Sequence, residues 1–137
     1  MSKVYIYGSA NPMNKRGCCC WLVPATISHK KTDWFFYKEE TTANEMLMTA
    51  LVEAVKTQLM TGATEITVVT TSAYFFDLYE NKNYKSWKNK SDFPNEVQWK
   101  EFISLEEDMN SKGILFTVEK TTVKNATIKM IKKALKE

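Results

Sequence analysis

Sixteen carboxylates, a single histidine (His29), three consecutive cysteines (Cys18, Cys19 and Cys20) and nineteen cations are the groups in this 137-residue chain with chemistry to offer. One histidine leaves little material for a His-rich metal site or a Ser-His-Asp triad. Adjacent cysteines make poor disulfide partners, and without CxxC spacing no zinc ligand set can be assembled. Reduced thiols in a cytosol are the expected state, which points to a cytoplasmic protein. Carboxylates are the only plentiful catalytic groups. By residue type alone, an enzyme of this composition works with carboxylates and a divalent metal.

The cations say more by position than by number. The net charge is +3, too weak on its own to argue for nucleic acid. Eighteen of the cations are lysine and only Arg16 is arginine, so bidentate clamps on phosphate are nearly absent. Residues 82–90 hold Lys82, Lys85, Lys88 and Lys90 with no acid. Residues 120–136 hold Lys120, Lys124, Lys129, Lys132, Lys133 and Lys136, again with no acid. The rest of the chain carries nine cations against all sixteen acids, a mildly acidic body with two basic segments. The lysine-for-arginine bias points to an AT-rich genome, such as that of a phage or other mobile element.

These groups need a scaffold. The length fits one domain, residues 1–137, and 44% hydrophobic residues can fill one core without metal or disulfide staples. No apolar run is long enough for a membrane span, and the N-terminus lacks a signal-peptide core. Val4–Tyr7, Cys18–Val23 and Asp33–Tyr37 are β-rich runs joined by short polar links, which reads as an antiparallel meander. The period then turns helical: Leu47, Leu51, Ala54, Val55 and Leu59 share a face. Thr42 with Glu45 forms a capping-box pattern, and Gly62 stops the helix. Ile66–Val69 is a strand continued by Thr70 and Thr71, and Ser72 caps a short helix through Glu80. Residues 81–95 read as irregular. A helix follows over Glu96–Ser111, then a strand over Ile114–Val118 and a last helix over Asn125–Lys136. The order β-β-β-α-β-α-α-β-α is one mixed α/β domain.

Several segments in that order resemble the ribonuclease H family. VYIYGSANP resembles its first strand and turn, V-x-I-x-T-D-G-S followed by N-P. Gly17 and the run after it resemble the second strand. TTANEMLMTALVEAV resembles T-N-N-x-A-E-L-x-A-x-x-x-A-L without gaps. ITVVTTSAYF resembles I-x-I-x-T-D-S-Q-Y-V, and NEVQWKEF resembles the opening of a later helix after a basic, tryptophan-containing loop. The resemblance covers essentially the whole chain. It implies a five-stranded mixed sheet, three antiparallel strands then two parallel, flanked by helices.

The resemblance also implies four carboxylates holding two Mg²⁺ ions roughly 3.5–4 Å apart. In the register above those places fall at Tyr7 or Gly8, Leu47, Thr71 and Lys129. None is an acid. Glu45 lies two residues before the helix position, about 200° around a helix, and so reads as a cap. Asp77 reads as a helix-surface residue. Lys129 has two readings, a fixed cation where the metals would sit or a solvated lysine. The catalytic set is therefore expected to be empty, with no metal and no cofactor.

What remains is the basic surface. Lys82, Lys85, Lys88 and Lys90 interleave with Tyr84 and Trp87, in the place of the family's basic protrusion that grips the DNA strand of a hybrid. Asn11, Thr42 and Asn44 match polar family positions at the nucleic-acid backbone; as ordinary structural residues, Asn11 makes a turn and Thr42 caps a helix. The expected function is a catalytically inactive ribonuclease H-like domain that binds RNA/DNA hybrid or other nucleic acid, as a monomer or homodimer and not at a membrane. The alternative is a protein-interaction module that docks a partner on the former active-site face, made apolar by Tyr7 and Leu47. A third reading is a divergent Mg²⁺-dependent nuclease. The cysteine triplet and Met46 and Met48 read as core, and His29 as a loop residue.

Overall fold

A computed structural model describes residues 2–23 and 32–122. His29, the helix expected over Asn125–Lys136 and Lys129 with it lie outside the described residues. Strands β1 (Ser2–Ala10), β2 (Gly17–Val23) and β3 (Thr32–Lys38) form the expected meander. Helix α1 (Ala43–Met60) crosses to β4 (Glu65–Thr70), which lies parallel to β1. Helix α2 (Ala73–Asn81), a 3₁₀ helix (Asn83–Asn89) and α3 (Glu96–Ser111) lead to β5 (Leu115–Lys120), parallel to β4. The strand order is β3-β2-β1-β4-β5, the expected five-stranded mixed sheet.

The sheet is buried on both faces in its centre, so its strands are apolar at successive positions. Val4, Ile6, Cys19 and Trp21 face one core, where α1, α2 and α3 pack. Tyr7, Cys18, Cys20 and Leu22 face the other way, with Tyr5 against them. This alternation divides the cysteine triplet between two cores, and all three thiols are buried. Burial pushes the Cys18 and Cys19 thiols above their ordinary range, so they stay protonated and unreactive at neutral pH.

Helix α1 is apolar on more than one stripe because it packs against both β1 and α3. Met46 and Met48 are core residues, as expected. The helix closes where Gly62, at φ 79°, lets Ala63 N–H reach Gln58 O at 3.2 Å. Gly113 ends α3 in the same manner.

Residues 81–95 are not wholly irregular. The 3₁₀ helix forms because its two large anchors, Tyr84 and Trp87, are three residues apart, the repeat at which 3₁₀ side chains eclipse. Tyr84 is 1% exposed, and its hydroxyl donates to Glu106 of α3 at 2.7 Å. Trp87 packs edge-on against Trp99 of α3 at 5.2 Å and against Phe93 at 5.3 Å.

Candidate nucleic-acid interface

Three of the four positions where the family's carboxylates are expected lie at one end of the sheet. Ile6 of β1 pairs with Thr70 of β4, so the next step along both strands sets Tyr7 beside Thr71. Gly8 lies directly on the first turns of α1. A Cβ added to it would sit 2.2 Å from Leu47 N and 2.6 Å from Leu47 Cα, a distance only glycine allows. The backbones of Tyr7, Gly8, Leu47 and Thr71 thus lie close together at this end of the sheet.

Their chemistry is apolar or neutral. Leu47 is 3% exposed and belongs to the main core. Tyr7 is 6% exposed and packs in the second core, on the opposite face of the sheet. The expectation that these two side chains give the former active-site face an apolar docking surface is therefore corrected: the pleat of β1 turns Tyr7 away from α1 while Leu47 packs beneath that helix, and neither is presented to a partner. The strand hydroxyls launch the next helix. Thr70 Oγ1 accepts from Ser72 N–H at 3.0 Å, and Ser72 Oγ accepts from Phe75 N–H at 3.4 Å to cap α2.

The nearby carboxylates are engaged elsewhere. Only half of the expected capping box forms: Glu45 N–H donates to Thr42 Oγ1 at 3.1 Å. The Glu45 carboxylate accepts instead from Lys38 at 3.0 Å and from the Thr41 hydroxyl. Burial alone would raise its pKa, but those two donors, with Gln98, more than offset it and hold the carboxyl below its ordinary range. Asp77 is exposed on α2. Among the described residues, no three His, Cys, Asp or Glu side chains are grouped to hold a metal ion. A leucine, a glycine, a buried phenol and a threonine hydroxyl do not fit the Mg²⁺ pair that the family fold implies, because a protein holds Mg²⁺ through carboxylates and none stands at these positions.

The polar positions expected at the backbone of a nucleic acid fall on one edge. Asn11 Oδ1 accepts from Met13 N–H at 2.8 Å and shapes the β1–β2 turn. Thr42 caps α1, and Asn44 is exposed on its first turn. Thr41 N–H donates to Lys15 O at 3.0 Å, which ties that turn to the start of α1. Lys15 and Arg16, exposed on the same turn, were not singled out by the sequence, since only the tertiary contact places them beside Thr42.

The lysine segment is attached elsewhere, to α2 and α3. Lys85 and Lys88, three residues apart, share one edge of the 3₁₀ helix, and Lys82 caps its start in the left-handed region; all three are exposed. Lys88 is paired with Glu107 at 3.1 Å. Lys90 lies over the Phe93 ring at 5.9 Å. Beside it Tyr74, Leu78, Trp87, Phe93 and Pro94 line an apolar hollow of about 200 Å³. The Tyr74 hydroxyl, bonded by Trp99 Nε1 at 3.1 Å and Asn95 Nδ2 at 3.2 Å, fastens this hollow to α3. Trp87 is half-buried, so it presents one edge while anchoring the helix.

The RNase H family model matches residues 2–137. Three solved structures are similar over nearly their whole lengths. The N-terminal RNase H domain of Rv2228c from Mycobacterium tuberculosis, solved as a fusion with maltose-binding protein, is 16% identical with a TM-score of 0.65. The alignment covers 99% of this chain and 95% of that one. RNase H1 of the halophilic archaeon Halobacterium salinarum is 12% identical, with a TM-score of 0.63 and coverage of 96% and 92%. LC11-RNase H1, solved in complex with an RNA/DNA hybrid, is 18% identical, with a TM-score of 0.70 and coverage of 98% and 99%. No curated protein sequence matches. At these identities the structural likeness is one of fold, and the family match supplies the membership. On that match, and with the sheet order above, this chain belongs to the RNase H family.

Proposed function

We propose that this chain is a non-cleaving RNase H-like domain that binds RNA/DNA hybrid or another duplex. One contrast carries the reading: the described positions where the family places its carboxylates hold no acid, while the lysine-bearing 3₁₀ helix stands exposed beside Trp87. Lys82, Lys85 and Lys90 would meet phosphate oxygens, with Lys88 joining once released from Glu107. The exposed edge of Trp87 and the hollow beside it suit a sugar face. Asn11, Thr42 and Asn44 would position the backbone at the other edge. No cofactor is needed for such binding. That a neighbour of the same fold was solved with a hybrid makes hybrid the first ligand to test.

Labelled hybrid, duplex RNA and duplex DNA, titrated with the purified chain at two salt concentrations, test the reading. Salt-sensitive binding and intact hybrid in Mg²⁺ or Mn²⁺ are expected. Binding without salt dependence would sink the interface. Hybrid cleavage lost on Glu45→Gln or Asp77→Asn would establish a divergent nuclease instead.

A further inference from the structure

We infer that this chain grips nucleic acid without any divalent ion, an inference that rests on the hybrid-binding reading. A centre built from carboxylates carries negative charge where a polyanion must pass, so bound metal is what lets phosphate approach. Here the described positions carry no charge to neutralise. Tyr7 and Leu47 are buried in opposite cores, and Gly8 offers no side chain. The Thr71 hydroxyl is a neutral ligand that cannot outbid water for Mg²⁺, which dehydrates reluctantly.

Space tells the same story as charge. The β1 and α1 backbones touch at Gly8 and Leu47, where even a methyl group would lie 2.2 Å from a backbone nitrogen. No side chain at position 8 could therefore reach out from this contact as an oxygen ligand. The acid nearest in sequence, Glu45, is held by Lys38 and Thr41. Affinity then resides in the lysines, and divalent cations act on it only as competing counterions.

Two measurements on the full chain test this. In the first, Mn²⁺ alone is titrated and the free-ion signal is read by electron paramagnetic resonance. No saturable loss of signal is expected; stoichiometric uptake of one or two ions would overturn the inference. In the second, hybrid affinity is read by fluorescence anisotropy at constant ionic strength, in EDTA and in Mg²⁺. The two dissociation constants are expected to agree within about twofold, with any difference toward weaker binding in Mg²⁺. Tightening of about tenfold or more in Mg²⁺ would overturn the inference while leaving the hybrid-binding reading intact. No binding in either buffer would refute that reading, and the Mn²⁺ titration would still decide the metal question. The double substitution Lys85→Gln with Lys90→Gln is expected to lower affinity by the same factor in both buffers. A loss confined to the Mg²⁺ buffer would overturn the inference.

Discussion

Replacing Lys85 by glutamine should cost more hybrid affinity than replacing Lys88, although both project from the same edge of the 3₁₀ helix. Among the described residues Lys85 makes no ion pair, so its ammonium is available to phosphate from the start. Each lysine–phosphate contact contributes about 0.9 to the slope of log affinity against log salt, which at 0.15 M is roughly fivefold in affinity. Lys85→Gln should therefore weaken binding about fivefold and flatten the slope by about one unit. Lys88 must first leave Glu107, 3.1 Å away. An exposed pair of this kind is worth about 0.2–1 kcal/mol, an offset of roughly 1.4- to 5-fold. Lys88→Gln should thus cost less than Lys85→Gln, and Glu107→Gln should tighten binding by that same offset. The assay is anisotropy of a labelled hybrid across a salt series. Lys56→Gln serves as the control, because Lys56 lies on α1 and is paired with Glu53 and Glu101. An unchanged slope for Lys85→Gln, or weaker binding by Glu107→Gln, would refute the placement of phosphate on this edge.

Three further outcomes concern the scaffold. Gly8→Ala drives a methyl group into the Leu47 backbone and should destabilise the fold by about 3 kcal/mol or more, read by urea denaturation. Tyr84→Phe keeps the ring in the core but leaves the half-buried Glu106 carboxylate without its donor; a loss of about 1–2 kcal/mol is expected, with hybrid binding weakened only as far as the 3₁₀ helix loosens. At high pH, burial first, then the charges of Glu106 and Glu80, push the Tyr79 phenol up to about 12. Because its folded pKa is raised, the stability it contributes is fully present below the ordinary value of 10.0 and is lost as pH climbs from there toward about 12. Denaturation at stepped alkaline pH should show that decline, and Tyr79→Phe should shrink it.

Much of the scaffold was legible because it is written in local period. The α3 boundaries, Glu96–Ser111, follow from Pro94 ahead, Gly113 behind and the apolar repeat between them. The meander was legible because short polar links separate three β-rich runs. The 3₁₀ helix was not. Its repeat of three matches neither the strand nor the α-helix template, and its stability comes from Tyr84 reaching Glu106, twenty-two residues away. The place of Leu47 at the start of α1 could be read from the motif, which aligns without gaps. The burial of Tyr7 and Leu47 in different cores could not, because it depends on what packs against each face of β1 and on which stripe of α1 turns toward the sheet. The same limit applies to Glu45, whose pattern says cap while its carboxylate answers to Lys38 on β3.

The cysteine triplet gives the protein an internal clock. Cys18, Cys19 and Cys20 sit on β2, which is paired on both sides, by β1 and β3, and each is 0% exposed. A thiol reagent therefore reaches them only when β2 parts from a neighbour or from the cores on its two faces. Labelling speed then times an opening event in the middle of the sheet rather than fraying at its edge. Since Cys19 faces one core and Cys18 and Cys20 the other, the order in which they label tells which side of the sheet is uncovered first.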